Sequence, residues 1–195
     1  MKVRLARGLQ TGSIVDGEGL RAVVWAQGCS HNCTGCHNKQ THDFGGGFEV
    51  DVDDINEQIS SLKLHSGITL SGGDPLFQPM QFAQIACHAK KVGLSVWCYT
   101  GFTFEQLLQL VKTNEHIYRL LQHIDVLVDG KFILEQRTLN LKYRGSKNQR
   151  VIDVQESLKE NKIVIRQGYQ IDEQTQTYVP IEQRQANCYN EGLFI

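Results

Sequence analysis

The feature that most constrains the fold of this chain is an alternation of short apolar segments with longer helical stretches. Each apolar segment ends in glycine or in polar residues, as a buried strand does where it leaves a sheet. The four segments are residues 21–27, 67–70, 94–99 and 125–128. Because helical stretches separate them, the sequence predicts crossover connections and a parallel sheet.

The length of the chain limits how far such a sheet can close. A complete eight-stranded parallel barrel needs about 250 residues, whereas this chain has 195. We therefore predict an α/β fold built as a partial, open-sided parallel barrel, with one domain over residues 1–166. Residues 167–195 are polar with scattered apolar positions. We predict that they form an appended extension, to which the sequence assigns no chemistry.

The helical stretches follow from the spacing of apolar residues and from signals that start and end helices. Asp74 and Pro75 indicate a helix start, since Asp is a good N-cap and Pro suits the first helical position. A longer stretch is interrupted near Asn114. Predicted helices cover residues 53–64, 75–91, 104–122 and 153–161, and a further strand is predicted at residues 162–166.

Composition narrows the functional classes. The chain carries 20 Lys and Arg against 21 Asp and Glu, and this balance argues against nucleic acid or an anionic membrane as a partner. No segment approaches the roughly 18 apolar residues needed to cross a bilayer, and residues 1–12 lack the apolar run of a signal peptide. We therefore expect a cytoplasmic protein, in which six cysteines indicate metal binding or catalysis rather than disulfides.

Three of the cysteines crowd into one short segment, GCSHNCTGCHN. Cys29, Cys33 and Cys36 have the spacing Cys-x3-Cys-x2-Cys, which lets a tight loop hold one metal centre. A 4Fe-4S cluster usually takes four cysteines, so a three-cysteine site leaves one iron open, as a catalytic metal site does. Three unligated thiols and a Cys3His zinc site are the alternatives. The histidine of such a zinc site would be one of three: His31, His37 or His42.

This cysteine spacing resembles the signature of radical S-adenosylmethionine (SAM) enzymes, and further motifs sharpen the resemblance. They occur in order over residues 14–153. Together they resemble the activases of glycyl-radical enzymes, in particular those that activate anaerobic ribonucleoside-triphosphate reductase. The motifs are DGEGLR at residues 16–21, SGGDPL at 71–76, YTG at 99–101, VLVDGKF at 126–132 and RGSKNQ at 144–149.

The resemblance implies an oxidoreductase with two cofactors, a 4Fe-4S cluster and SAM. The open iron would bind the amino nitrogen and carboxylate of SAM, and an electron from the cluster would cleave SAM into methionine and a 5′-deoxyadenosyl radical. That radical would take a hydrogen atom from one glycine of the protein partner, anaerobic ribonucleoside-triphosphate reductase. A flavodoxin- or ferredoxin-like protein would supply the electron, and the polypeptide would supply positioning and exclusion of water.

The resemblance also assigns cofactor contacts around the predicted cluster. His37 and Asn38, which follow the third cysteine, belong to the resembling segment. Bare backbone at Gly72 and Gly73 would let SAM lie close to the strand end. The Asp74 carboxylate would favour a cationic ligand, although a turn with a helix cap explains this residue on the sequence alone.

Polar residues after the third and fourth strands complete the predicted site. Thr100 would contact the ribose or the methionyl carboxylate of SAM. Asp129 would be a polar anchor near SAM or near the incoming glycine, and an exposed turn with a weak ion pair explains it equally well. Arg144 could bind a carboxylate of SAM or of the partner with its bidentate fork. The roles of Lys131 and Arg144 stay open.

Two other functions remain alternatives. The first is activation of a different glycyl-radical enzyme of the formate-lyase type, against which stand the short chain and the lack of an inserted pair of four-cysteine motifs. The second is a zinc-binding module without catalysis. Metal content separates them, because a cluster protein purified without oxygen is brown with about four irons per chain, whereas a zinc module is colourless.

Overall fold

The structure is a computed structural model, and it describes residues 1–169. Within that part of the chain, one sheet of eight strands packs on five helices. The strands are β1 (Lys2–Leu5), β2 (Gln10–Ser13), β3 (Arg21–Ala26), β4 (Phe48–Asp51), β5 (Gly67–Gly72), β6 (Ser95–Tyr99), β7 (Val126–Asp129) and β8 (Arg150–Asp153). The helices are α1 (Val52–Ser60), α2 (Pro79–Lys91), α3 (Phe104–Leu110), α4 (Glu115–Leu121) and α5 (Val154–Glu160).

The centre of the sheet has the predicted parallel arrangement. β3, β5, β6 and β7 are hydrogen-bonded neighbours in that order, and each pair is parallel. β3 and β5 pair in register from Arg21 opposite Gly67 to Ala26 opposite Gly72. These strands coincide with the four apolar segments of the sequence, so the α/β class is confirmed.

Antiparallel strands extend the sheet on both sides, and the sequence analysis did not predict them. β8 pairs with β7, while β1 and β2 share the outer side of β3, and β4 pairs with β1. Each of these added strands has only four residues. Four residues give too short an apolar pattern to distinguish a strand from a loop.

The helix boundaries follow local capping chemistry. The side chain of Asn114 accepts a hydrogen bond from the N–H of His116 at 3.1 Å and caps α4, so the predicted interruption is confirmed. Asp74 caps a short 3-10 turn, Pro75–Phe77, and α2 begins only at Pro79. The cap at Asp74 was therefore predicted correctly, whereas the continuous helix after it was not.

The helices bury one face of the sheet. Alternate strand residues, including Val24, Leu70 and Leu127, contribute to a continuous core with Phe82 and Ile85 of α2, and all five are fully buried. Burying an apolar side chain of this size stabilises the fold by about 1.5–3 kcal/mol. This aliphatic layer is therefore the main source of stability. It packs on the helix side of the sheet and holds the four parallel strands in place.

The opposite face of the parallel strands is aromatic and polar. Trp97 packs there in a second cluster with Val126, Val128 and Tyr169. The sheet is open in the part of the chain that the structure describes, because β4 and β8 are edge strands that do not pair with each other. None of the described helices has both the length and the apolar character needed to span a membrane.

The end of the described chain returns to the sheet. The strand predicted at residues 162–166 is shortened to an isolated bridge between Ile165 and Ile152. The N–H of Asp153 donates to the carbonyl of Val164, and the N–H of Arg166 to that of Val151, each at 2.9 Å. Tyr169 lies just past the predicted domain boundary, is buried, and donates from its hydroxyl to Glu18 at 2.9 Å. The rest of the predicted extension, residues 170–195, lies outside the described residues.

Candidate functional site

A cavity of about 660 Å³ opens at the carboxyl ends of the parallel strands. Its volume lies in the usual range for a small-molecule site. Ser71 of β5 and Tyr99 of β6 belong to its lining. All but two of the residues predicted to bind metal or cofactor line this one cavity: Cys29, Cys33, Cys36, His37, Asn38, Gly72, Gly73 and Thr100.

The cysteine loop is anchored to the sheet where it begins. The N–H of Gly28 donates to the carbonyl of Thr41 at 2.8 Å, and the N–H of Cys29 donates to that of His42 at 3.0 Å. Gly28 has φ +101°, and a Cβ there would lie 2.5 Å from the ring of Phe44. Only glycine suits this backbone conformation and contact. Gly28 therefore fixes the direction in which the cysteine loop leaves β3.

The three thiols are partly exposed and line the cavity. A turn in which the N–H of Cys36 donates to the carbonyl of Cys33 at 3.2 Å brings the second and third thiols together. The N–H of Asn38 donates to the sulfur of Cys36 at 3.4 Å. Burial raises the pKa of the Cys29 thiol to about 11, so a bound cation is needed to hold it as thiolate.

This arrangement fits an iron–sulfur cluster better than one zinc ion. Within residues 1–169, no three His, Cys, Asp or Glu side chains converge in a way that could hold a single metal ion. The thiols of the loop border a large cavity instead. Cys98 is fully buried in β6, and burial raises its pKa strongly, so it is a core residue and not a further ligand. An N–H donor to a ligand sulfur, like that of Asn38, is typical of cluster sites.

The two glycines after β5 bring that strand end against the cysteine loop. The N–H of Gly73 donates to the carbonyl of Ala26 at 2.8 Å. A Cβ on Gly73 would lie 2.4 Å from the carbonyl oxygen of Gly28, and one on Gly72 would lie 2.6 Å from that of Ala26. The sequence analysis attributed the bare backbone to a ligand, and the structure adds a second reason, the close approach of two backbone segments.

The carboxylate of Asp74 is fully buried and forms four hydrogen bonds. Its Oδ1 accepts from the N–H of Leu76 at 2.9 Å. Its Oδ2 accepts from the hydroxyl of Thr100 at 2.8 Å, from the N–H of Gly101 at 2.9 Å and from Nε2 of His31 at 2.8 Å. Asp74 therefore lies behind the cavity wall, where it caps the turn Pro75–Phe77 and forms a junction between the ends of β5 and β6 and the cysteine loop. Its predicted contact with a ligand stays a prediction.

His31 connects the cysteine loop to this junction. Its side chain is 8 % exposed, and its ring packs edge-on against Phe102 with 4.5 Å between ring centroids. Since its Nε2 donates to Asp74, His31 joins the cysteine loop to the ends of β5 and β6. The sequence analysis considered it only as a zinc ligand or a loop residue. The Thr100 hydroxyl also accepts from the N–H of Phe102 at 3.1 Å, and its predicted contact with SAM stays a prediction.

The second residue that does not reach the cavity is Asp129. It is 1 % exposed and accepts from the N–H of Phe104 at 2.8 Å and from Nε of Arg150 at 3.0 Å. Arg150 also binds both carboxylate oxygens of Glu105, at 2.9 and 2.7 Å. Burial raises the pKa of Asp129, and Arg150 offsets part of that rise. Asp129 borders a neighbouring groove, and its predicted role as an anchor stays a prediction.

The DGEGLR segment is held by a buried arginine. Arg21 is fully buried, and its guanidinium donates to Thr69 at 2.7 Å, to the carbonyl of Glu18 at 3.1 Å and to the hydroxyl of Ser95 at 3.0 Å. Burial lowers its pKa to about 10. A Cβ on Gly17 would lie 2.8 Å from this side chain. These contacts fix the segment that carries Val15 and Asp16 to the cavity lining.

Residues from the connection between β7 and β8 close the far side of the cavity. They include Leu141, Lys142, Tyr143 and Arg144. The hydroxyl of Tyr99 donates to the carbonyl of Tyr143 at 3.0 Å and fixes this connection to β6. Sequence reasoning raised only Arg144, because a long irregular connection gives no periodic signal that would place its other residues.

Comparison with known proteins agrees with the geometry of the site. A family model described as "4Fe-4S single cluster domain" matches residues 15–152, which include the three loop cysteines and all four parallel strands.

Curated relatives align over most of their own length. An anaerobic ribonucleoside-triphosphate reductase-activating protein of Haemophilus influenzae is 37 % identical over 147 residues, which cover 70 % of this chain and 89 % of that protein. The protein of the same name from Escherichia coli strain K12 is 35 % identical over 145 residues, covering 70 % and 90 %. That from enterobacteria phage T4 is 34 % identical over 144 residues, covering 70 % and 86 %.

Proposed function

The chain belongs to the family of anaerobic ribonucleoside-triphosphate reductase-activating proteins, and on that premise we propose that it is a radical SAM activase. It binds a 4Fe-4S cluster and SAM, and it generates a glycyl radical on the reductase. One observation carries the proposal: three thiols in a tight loop border the same cavity as the glycine turn after β5. A family model for a single 4Fe-4S cluster supports the cluster.

Different residues of the site bind the cluster and SAM. Cys29, Cys33 and Cys36 hold three irons of the cluster, and in residues 1–169 Cys98 is too deeply buried in β6 to reach the remaining iron. When bound, the cluster would supply the electron for the reductive cleavage of SAM, and the adenosyl fragment would take up a hydrogen atom from the target glycine. The polypeptide orients SAM beside the open iron and keeps water away from it.

In this proposal the backbone at the end of β5 binds SAM. Gly72 and Gly73 present main-chain groups to the cavity, with His37 and Asn38 beside the third thiol. Asp74 and His31 act as positioning residues, because their hydrogen bond joins the cysteine loop to the strand ends. This junction sets the distance between the cluster and the SAM subsite.

The open sheet suits a protein substrate. Since β4 and β8 do not pair in the described part of the chain, the sheet leaves one side unclosed, as a partial barrel of the radical SAM type does. A partner can then insert its glycine segment towards the cavity. We further propose a flavodoxin- or ferredoxin-like electron donor and an oxygen-poor cytoplasm, because a partly exposed cluster with an open iron reacts with oxygen.

The test is electron paramagnetic resonance on the chain reduced without oxygen and mixed with SAM and the reductase. A glycine-centred doublet is expected. Cys33→Ala is expected to abolish both the doublet and SAM cleavage, whereas Cys98→Ala, which removes a buried thiol outside the loop, keeps both. An intact cluster that cleaves SAM but gives no doublet with this reductase would exclude the proposed substrate, and a formate-lyase-type partner would be tried next.

A further inference from the structure

The connection between β7 and β8 has a charge that the rest of the chain does not share. Over the whole chain, basic and acidic residues balance at 20 and 21. Residues 130–149 contain five basic side chains and a single acidic one, Glu135. The five are Lys131, Arg137, Lys142, Arg144 and Lys147. A loop of this charge attracts an acidic partner over a distance of about 8–10 Å at physiological salt.

Several arginines outside this connection have carboxylate partners, whereas none of these five side chains has one within the described residues. Arg150, the next basic residue, pairs with Glu105 and Asp129. Arg166 pairs with Glu18 at 2.7 Å. Within residues 1–169, no ion pair involves any basic side chain of residues 130–149. Their charge is therefore available to a molecule outside the described fold.

Arg144 is the most constrained of the five, because it is partly buried at the edge of the cavity. Its Nε is buried and has no hydrogen-bond partner among the described residues. Among the described residues its guanidinium donates one hydrogen bond, from Nη1 to the carbonyl of Gln149. The distance of 3.4 Å is long for a hydrogen bond. An incompletely bonded, partly buried guanidinium costs stability. A carboxylate from a ligand would complete its bidentate geometry.

The same connection exposes large apolar side chains. Leu139 is 89 % exposed and Leu134 is 40 % exposed. Arg137 and Ser146 form a backbone bridge across the connection, and the N–H of Lys147 donates to the carbonyl of Gln136 at 3.0 Å. These bonds hold Arg137 and Lys147 close to each other in the connection, whose residues 141–145 line the cavity.

We propose that residues 130–149 form the docking surface for an acidic segment of the reductase, with apolar residues that meet the exposed leucines and one carboxylate that pairs with Arg144. This inference rests on the proposed function and deepens it. The surface is continuous with the cavity, since Lys142, Tyr143 and Arg144 line both. Docking here brings the partner's segment to the opening through which its glycine reaches the site.

The test measures activation of the reductase by Arg137→Glu/Lys147→Glu, a double charge reversal outside the cavity lining. Both side chains are exposed. The matched control is Lys63→Glu/Lys112→Glu, which reverses two exposed lysines outside this connection that form no ion pair within residues 1–169. The rate of glycyl-radical formation is expected to fall about tenfold at low salt and to approach the wild-type rate at high salt, because rim charges act on association. SAM cleavage without the reductase is expected to be unchanged in both.

Equal effects of the two double variants on activation would overturn the proposal. A wild-type chain that cleaves SAM but activates no reductase would instead remove the proposed function, and this surface with it. Arg144→Gln is expected to raise the dissociation constant of the reductase complex about tenfold, the size of one charge-assisted hydrogen bond. A raised KM for SAM without reductase, together with unchanged reductase affinity, would contradict the assignment of Arg144 to the partner.

Discussion

Replacing Asp74 by alanine tests the junction that joins the cysteine loop to the strand ends. The substitution removes the acceptor for the N–H groups of Leu76 and Gly101, the hydroxyl of Thr100 and Nε2 of His31. Each buried donor left without a partner costs about 1–3 kcal/mol. The hydroxyl can rotate towards another acceptor, so three donors remain without a partner and the expected loss is about 3–9 kcal/mol. A loss of this size is a large part of the total stability of a domain, about 5–15 kcal/mol.

The assay is urea unfolding of the metal-free chain without oxygen, with Asp153→Ala as the control. Asp153 also caps a helix, accepting from the N–H of Glu156 at 3.1 Å, and a cap contributes about 1 kcal/mol. The partly exposed ion pair of Asp153 with Arg166, at 3.6 Å, adds little to that. Asp74→Asn keeps one carbonyl oxygen for the N–H of Leu76 and is expected to fall between the two. If Asp74→Ala costs no more than Asp153→Ala, Asp74 is a helix cap and nothing more.

Two further variants test the close backbone approach and the pH dependence. Gly73→Ala is expected to lower the iron retained after reconstitution, because its Cβ would meet the carbonyl of Gly28 at 2.4 Å, whereas Gly8→Ala, with nothing within 4 Å, is expected to retain all of it; equal iron contents would contradict the argument. The hydrogen bond from Arg166 lowers the pKa of Glu18 from 4.5, so its stabilisation is present above that value and is lost as pH falls below it. Glu18→Gln is then expected to cost well under 1 kcal/mol at pH 7, since solvent screens the pair, and progressively less as pH falls through the lowered pKa of Glu18; thermal unfolding followed from pH 7 into acid checks this.

The central sheet could be predicted from the sequence because each parallel strand is a short apolar run that ends in glycine or in polar residues. Residues such as Val24, Leu70 and Val128 leave little choice but burial. The antiparallel edge strands could not, because their pairing is decided by contacts far along the chain. β1, for example, pairs with β4 more than 40 residues later, from Lys2 opposite Asp51 to Leu5 opposite Phe48.

The site was predictable where chemistry is encoded by spacing, as for the three cysteines. It was not predictable where a polar residue has two competing partners. Asp129 follows a strand in the same way as Asp74 does, yet Arg150 and the start of α3 take up its carboxylate. His31 was not predicted as a positioning residue, for a different reason. Its importance depends on the distance to Asp74 across the fold, and no local pattern around the cysteines reports that distance.

The proposed radical chemistry requires an iron of the cluster that has no protein ligand and binds SAM. Pulsed electron–nuclear double resonance on the reduced protein with SAM labelled by ¹⁵N at its amino group measures that contact. A coupling between the label and the cluster is predicted, with about four irons and four sulfides per chain. A cluster of that composition that shows no coupling to bound SAM, or a chain that assembles no iron, would contradict the account.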